Sequence, residues 1–159
     1  MNDPTVPQPQ PSQVVEIATS LHLSGFNCSQ AVFASLAETL GFERAHALRI
    51  ASPFGGGMGR SGGTCGAVTG ALMALGIQYG FSEPDPKVKD QVYVLTREFM
   101  QRFQAKHGAL ACKDLIGLDL STPDGSQKAR ELGVFKEKCS YFIIDAVEIA
   151  YDMLVKEKE

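Results

Sequence analysis

Apolar residues recur every three or four positions over almost the whole chain after residue 13, the spacing typical of amphipathic α-helices. Val14, Ile17, Ala18 and Leu21 form the first apolar stripe, and the helix that they predict ends near Gly25. The same spacing predicts further helices over residues 28–40, 43–51, 65–79, 87–107, 109–116 and 139–156.

Local signals set the predicted ends of these helices. Asn27 and Gln30 have the spacing of a capping box, and Gly41 ends the helix that they begin. Thr64 is the predicted N-cap of the next long apolar helix, whereas Pro123-Asp124-Gly125 predicts a turn within the mixed segment 118–138. No segment shows the alternation of a strand. The sequence therefore predicts an all-α fold, a compact bundle of five or six helices with a glycine-rich loop before a central apolar helix.

Composition limits the domain organisation and the partners. With 159 residues, 44% hydrophobic and 21% charged, the chain suits one globular domain. The formal charge of -3, with no cluster of lysine and arginine, argues against a nucleic-acid partner. Residues 1–12 hold four prolines and no secretory signal, so we expect a disordered tail, a single domain over 13–159 and a cytoplasmic location.

One uncharged segment, Ser61–Ser82, has about the length of a membrane span. Six glycines and polar residues such as Thr64, Thr69 and Gln78 lower its hydropathy. We therefore expect a buried central helix here and no membrane span.

The four cysteines share one position in the predicted structure. Cys28, Cys65, Cys112 and Cys139 each lie at or near the predicted start of a helix. The helix N-terminus lowers a thiol pKa and favours the thiolate, which attacks electrophiles and binds metals. The gaps of 36, 46 and 26 residues contain no C-x-x-C pair and no zinc-finger spacing. Spacing alone leaves two interpretations open: four separate buried cysteines, or one shared site for zinc or an iron–sulfur cluster.

Seven of the sixteen glycines lie between Gly55 and Gly66, directly before and after Cys65. Backbone N–H groups of Gly62, Gly63 and Thr64 are predicted to face the sulfurs or an anionic cluster. The segment matches neither a P-loop nor a dinucleotide-binding motif, so nucleotide binding is disfavoured, and Arg60 is expected to be solvated. A further prediction is that Gly66, Gly70 and Ala74 form a small-residue stripe against which another helix packs closely.

The combination of NCSQAVF, FGGGMGRSGG, CGAVTGALMALG and two later single cysteines resembles the C_GCAxxG_C_C family of redox-active proteins over residues 14–155. The family core is matched by Cys65-Gly66-Ala67-Val68-Thr69-Gly70, with Cys and Gly in reverse order. The resemblance implies a small helical redox protein in which Cys28, Cys65, Cys112 and Cys139 hold an iron–sulfur cluster.

The leading hypothesis is therefore electron transfer or redox sensing through such a cluster, with Gly62, Gly63, Thr64 and Gly66 beside it and an electron-transfer protein as partner. No catalytic residue is assigned. The alternatives are a metal-free thiol/disulfide oxidoreductase and a non-enzymatic helical module with structural zinc or no metal, which could assemble with further copies of itself.

Overall fold

The structure, a computed structural model, describes residues 8–156. These residues form eight α-helices and no strand, which confirms the all-α class and makes five or six helices an underestimate. The helices are α1 Pro11–Leu23, α2 Cys28–Thr39, α3 Arg44–Ala51, α4 Gly66–Tyr79, α5 Pro86–His107, α6 Cys112–Ile116, α7 Pro123–Glu131 and α8 Val134–Lys156.

Helix α2 lies at the centre of the bundle, since every residue from Ala31 to Ala37 is buried. Its closest neighbour is α4. A β-carbon at Gly70 would lie 2.7 Å from the Ser29 carbonyl oxygen and 3.1 Å from the Phe33 amide nitrogen of α2. The predicted close packing along the small-residue stripe is therefore confirmed, and α2 is the helix packed against it.

Helices α5 and α8 complete the bundle beside this central pair. Phe99 and Phe103, the last two residues of the apolar stripe of α5, are fully buried. Arg102 Nη2 lies 2.7 Å from Asp152 Oδ2, and Lys106 Nζ lies 2.8 Å from an oxygen of Asp145. Two ion pairs thus join α5 to α8 at the surface, outside the apolar contact.

Helix α7 replaces the turn predicted at Pro123. Proline suits the first position of a helix because its ring fixes a helical φ and that position needs no N–H. The Thr122 hydroxyl accepts a hydrogen bond from the Gly125 amide at 3.0 Å and caps the helix. Only Ala129 of α7 is buried, so the segment shows almost no apolar stripe in its sequence.

Helix α8 begins at Val134, five residues before its predicted start at Cys139. Gly133 has φ of 65°, and its carbonyl oxygen accepts from the amides of Lys136 and Glu137 at 3.0 and 2.9 Å. Three of the five residues that precede Cys139 in this helix are charged, which is why the periodicity does not stand out in the sequence. Cys139 consequently lies in the second turn of α8 and does not start a helix.

Only part of the predicted disordered tail 1–12 is described by the structure. Residues 1–7 of the predicted tail 1–12 lie outside the described residues, and α1 already begins at Pro11. The Tyr151 hydroxyl of α8 donates a hydrogen bond to the Pro9 carbonyl oxygen.

Within residues 8–156, no helix is both long enough and apolar enough to cross a membrane. The uncharged segment instead contributes the 14-residue helix α4, which is largely buried as predicted.

Candidate functional site

Cys28 is the first residue of α2, and a complete capping box fixes its position. The Gln30 amide donates to Asn27 Oδ1 at 2.9 Å, and the Asn27 amide donates to Gln30 Oε1 at 3.1 Å. Asn27 Nδ2 also donates to the Ser52 carbonyl oxygen at 2.9 Å, which ties this cap to the segment before the glycine-rich loop. The capping signal read from the sequence therefore positions the first of the four cysteines.

Cys65 and Cys112 are held together by a short backbone pairing. Thr64 and Ala111 form an isolated antiparallel bridge. The Cys65 amide donates to the Leu110 carbonyl oxygen at 2.8 Å, and the Cys112 amide donates to the Gly63 carbonyl oxygen at 2.7 Å. The N-cap of α4, which is Cys65 and not Thr64 as predicted, and the first residue of α6 are thereby neighbours despite their separation in sequence.

All four cysteines line one cavity of about 680 Å³. Cys139 reaches it from the second turn of α8, and Phe142, one turn further on, lines it as well. The four thiols are free, with no disulfide between them. Of the two interpretations that spacing left open, the geometry therefore favours a shared site over four separate buried cysteines.

The glycine-rich loop contains a left-handed helical turn. Five consecutive residues from Gly56 to Arg60 have positive φ, of 65°, 69°, 67°, 58° and 65°. The left-handed conformation costs about 1–2 kcal/mol for each residue with a β-carbon, and glycine avoids that cost. Three of the five residues are glycines, so the glycine content of the loop has a direct conformational cause. Met58 and Arg60 adopt the same left-handed conformation although each carries a β-carbon, so these two residues bear the cost.

The left-handed turn supplies a hydrogen-bond donor to the cavity. The Gly56 amide donates to the sulfur of Cys28, as does the amide of Ser29. The predicted donors Gly62 and Gly63 are used differently, because their amides donate to the carbonyl oxygens of Gly56 and Gly57 at 3.1 and 3.0 Å. They brace the turn and do not face the sulfurs.

The other two predicted cofactor-contacting residues act through packing. Thr64 forms the backbone bridge to Ala111, and Gly66 packs directly against Cys28. Of the four residues predicted to contact a cofactor, none lines the cavity itself, and Gly56 was the donor that sequence reasoning missed. Its signal was the unbroken run Gly55-Gly56-Gly57, which permits consecutive left-handed residues.

The four thiols differ in acidity. A hydrogen bond from the Cys65 side chain, followed by the amide of Gly56 and the nearby His22, lowers the pKa of Cys28 to about 6 despite its burial. The hydrogen bond to Cys28, together with burial, raises the pKa of Cys65 well above its ordinary value. Burial raises the pKa of Cys112 to about 11 and that of Cys139 to about 12.

The sequence-based expectation of a lowered pKa at every helix start is thus wrong for three of the four cysteines. Burial outweighs the helix N-terminus at Cys112, and Cys139 lies inside its helix. At Cys28 the largest cause is the neighbouring thiol rather than the helix. The metal-free protein therefore holds one acidic thiol beside one thiol that stays protonated.

His22, which no sequence pattern singled out, also lines the cavity. Its Nε2 lies 2.7 Å from the Phe135 carbonyl oxygen and its Nδ1 lies 3.2 Å from the Phe26 carbonyl oxygen. Both neighbours are carbonyl oxygens, which accept a hydrogen bond from a ring nitrogen that carries a proton. The ring joins the end of α1 to the first turn of α8, beside Cys28.

The donor set suits a group larger than one ion. Among the described residues, no three His, Cys, Asp or Glu side chains are placed to hold a single metal ion, so a preformed zinc site is not found there. Four cysteine thiolates are the ligand set that an iron–sulfur cluster would require, and Cys28, Cys65, Cys112 and Cys139 would supply it. Amide donors at Cys28 and the absence of carboxylates from the cavity lining suit an anionic group.

Fold and site together define a small all-α protein with four thiols on one shared cavity. The family described as "Putative redox-active protein (C_GCAxxG_C_C)" matches residues 26–153, and the chain belongs to this family. The match covers all four cysteines and the glycine-rich loop. Among curated proteins and among solved structures, none matches the chain significantly.

Proposed function

We propose that the chain is an electron-transfer or redox-sensing protein whose four cysteines hold an iron–sulfur cluster. The observation that carries the proposal is that Cys28, Cys65, Cys112 and Cys139 all line one cavity of about 680 Å³. When bound, such a cluster would supply one-electron exchange. Its partner would be another electron-transfer protein, in the cytoplasm, where thiols are kept reduced.

The chain's own groups have defined tasks in this proposal. The amides of Gly56 and Ser29 stabilise negative charge on the Cys28 sulfur, and the amide of Ala67 does so at Cys65. Such N–H donors make a cluster easier to reduce. Apolar side chains on the cavity wall limit the access of water: Phe26, Leu115, Ile116, Leu120, Phe135 and Phe142.

The test is anaerobic purification followed by measurement of iron, acid-labile sulfide, zinc and the visible spectrum before and after dithionite. We expect stoichiometric iron and sulfide with absorbance that dithionite bleaches. Serine replacements of the four cysteines, made one at a time, should each lower the iron content. Ser140→Ala, next to Cys139 on α8, is the matched control and should keep it. Iron-free, colourless protein from anaerobic cells would overturn the cluster.

A second candidate function rests on the contact between Cys28 and Cys65. The side chains of these two cysteines are hydrogen-bonded, with the pKa lowered to about 6 at Cys28 and raised at Cys65. A thiolate beside a protonated thiol is the arrangement of a redox dithiol. Oxidation of this thiolate–thiol pair would form one S–S bond and release two electrons and the one proton of Cys65, with the electrons passing to an acceptor such as a partner disulfide, which is reduced to two thiols.

Mass spectrometry separates the two candidates. A dithiol protein would lose two hydrogens reversibly, with the bond mapped to Cys28 and Cys65 and no bound metal. In that case Cys112→Ser and Cys139→Ser would leave the oxidation intact. A cluster protein would instead respond to all four replacements.

A further inference from the structure

Apart from the cysteines, the charged side chains around the thiol cavity are of one sign. Arg60 and Lys136 line it, whereas no aspartate or glutamate does so. The whole chain has 18 acidic and 15 basic residues, so composition does not explain this separation. A concave site lined by one sign of charge concentrates ligands of the opposite sign.

Arg60 occupies its position at a conformational cost. It is the last residue of the left-handed turn, with φ of 65°, where a residue with a β-carbon is strained. Strain of this kind persists where the surrounding structure enforces it, and it is concentrated at functional sites. The bracing of the turn by Gly62 and Gly63 provides that enforcement.

The side chain of Arg60 packs over Gly56 within the left-handed turn. Its Cγ lies 2.9 Å from the point where a β-carbon of Gly56 would be, and Leu120 Cδ1 lies 3.5 Å from the same point. The aliphatic part of Arg60 therefore covers Gly56, whose amide donates to Cys28. Arg60 therefore lines the cavity over Gly56 while its side chain stays exposed to solvent.

The positive groups of Arg60 and Lys136 have no hydrogen-bond or ion-pair partner among residues 8–156. Arg102 and Lys106, by contrast, are each bonded to a carboxylate of α8, at 2.7 and 2.8 Å. Arg60 and Lys136 are thus available to a ligand. A guanidinium presents paired N–H donors that match the two oxygens of a carboxylate or phosphate.

The shape of the site favours a small molecule. Ligand pockets typically enclose about 300–1,000 Å³ and are mostly apolar with a few converging polar groups. The thiol cavity has a volume of about 680 Å³ and combines apolar walls with Asn27, Ser52, Arg60 and Lys136. A protein partner would need a broader contact surface than this concavity offers.

We propose that Arg60, assisted by Lys136, is the anion-binding residue of the cavity, which takes a small molecule carrying a carboxylate or phosphate group. The inference concerns the ligand of the same cavity, so its redox purpose rests on the proposed function. The binding itself depends on the basic side chains and is measured separately from iron content.

Binding is tested on the full chain as purified, by calorimetric titration at low ionic strength with succinate, inorganic phosphate and the neutral succinamide. We expect succinate or phosphate to bind and succinamide not to bind. Arg60→Gly removes the charge and relieves the left-handed strain, so the protein should fold while affinity for the anion falls about tenfold or more. Met58→Gly relieves the same strain without a change of charge and should retain the affinity.

A second measurement uses the thiols of the reduced, metal-free full chain. Iodoacetate and iodoacetamide alkylate the same thiolate but differ in charge, so the ratio of their rates is independent of the thiolate fraction. We expect this ratio to exceed the ratio for a small free thiol and to fall toward it in Arg60→Gly but not in Met58→Gly.

The results that would overturn the proposal are clear. Equal affinity for succinate and succinamide, or equal anion affinity in the wild type and Arg60→Gly, would refute anion binding by Arg60. Iron and sulfide without anion binding would refute this inference alone. Anion binding without iron or sulfide would refute only the cluster.

Discussion

Gly66 packs so closely against Cys28 that a β-carbon at residue 66 would collide with the Cys28 sulfur. The same β-carbon would lie 3.0 Å from the Ser29 amide nitrogen and 3.1 Å from the Phe54 carbonyl oxygen. Rotation of the Cys28 side chain alone therefore cannot make room. The first turn of α4 determines where the Cys28 sulfur lies within the cavity.

Gly66→Ala should therefore lower both stability and cofactor content. Overpacking of a buried position costs about 1–3 kcal/mol, and here the displaced atoms include a proposed ligand. Urea denaturation measures the first effect, and the iron content of anaerobically purified protein measures the second.

Gly76→Ala is the matched control on the same helix. Gly76 is exposed, and a β-carbon there meets nothing within 4 Å. Alanine should stabilise the protein by about 0.5–1 kcal/mol, because glycine in a helix loses more conformational freedom on folding. Stable, fully loaded Gly66→Ala protein would show that the contact does not position Cys28.

Met58→Gly should stabilise the protein. Met58 has φ of 67° and is 43% exposed, so glycine removes strain and gives up only part of a buried side chain's packing. We expect a gain of about 0.5–1 kcal/mol, the strain relieved less the extra freedom of glycine in the unfolded chain. Thermal and urea unfolding would measure it. Destabilisation would mean that the contact of the Met58 side chain with Gly63 outweighs the strain.

Alkylation of the reduced, metal-free protein should begin at Cys28. Because its pKa is lowered to about 6, its thiolate forms as the pH rises through 6, and its rate should then level off. Cys112 and Cys139, with pKa values raised to about 11 and 12, should react little below pH 9. Peptide mapping after brief iodoacetamide treatment at a series of pH values gives each rate.

Cys65→Ala tests the cause of this acidity. It removes the hydrogen bond that lowers the pKa of Cys28 most, so the pH at which Cys28 becomes reactive should rise. Cys112→Ala removes a thiol that does not contribute to this lowering, so it should leave the profile unchanged. Equal profiles in both variants would contradict the assigned donor.

His22→Leu should destabilise the protein by about 1–3 kcal/mol, because it leaves the Phe135 and Phe26 carbonyl oxygens without their partner. His46→Leu is the control, since that side chain is exposed at the surface. Urea denaturation of both variants measures the difference. The change at His22 should also lower iron content, since the ring joins α1 to the first turn of α8. An unchanged iron content in His22→Leu would show that His22 has only a structural role.

Much of the fold could be predicted because it depends on local patterns. The stripe ending in Phe99 and Phe103 predicted α5, and Asn27 with Gln30 predicted the start of α2. Helix α7 and the first turn of α8 could not be predicted from apolar periodicity. The sequence of α7 is mostly polar and its Pro123-Asp124-Gly125 start was read as a turn, whereas the first turn of α8 mixes apolar and charged residues.

The residues of the candidate site were identified from the sequence, but their roles were not. All four cysteines were singled out by their positions near helix starts, and all four line the cavity. The amides of Gly62 and Gly63 were predicted to face the sulfurs but donate to carbonyl oxygens of the left-handed turn. These hydrogen bonds form only because several consecutive residues have positive φ, which a sequence pattern does not specify. His22 was missed because its neighbours, Phe26 and Phe135, come from opposite ends of the chain.

The sequence by itself determined the helical class, the small-residue stripe of α4 and the four thiols, since these follow from periodicity and residue type. Only the tertiary structure decided that the thiols share a cavity, that their acidities diverge and that its charged lining is basic. The physical reason is that burial and Coulomb interactions depend on distances in the folded structure and not on separation along the chain. The 36, 46 and 26 residues between the cysteines carry no information about the distances between their sulfurs until the helices pack.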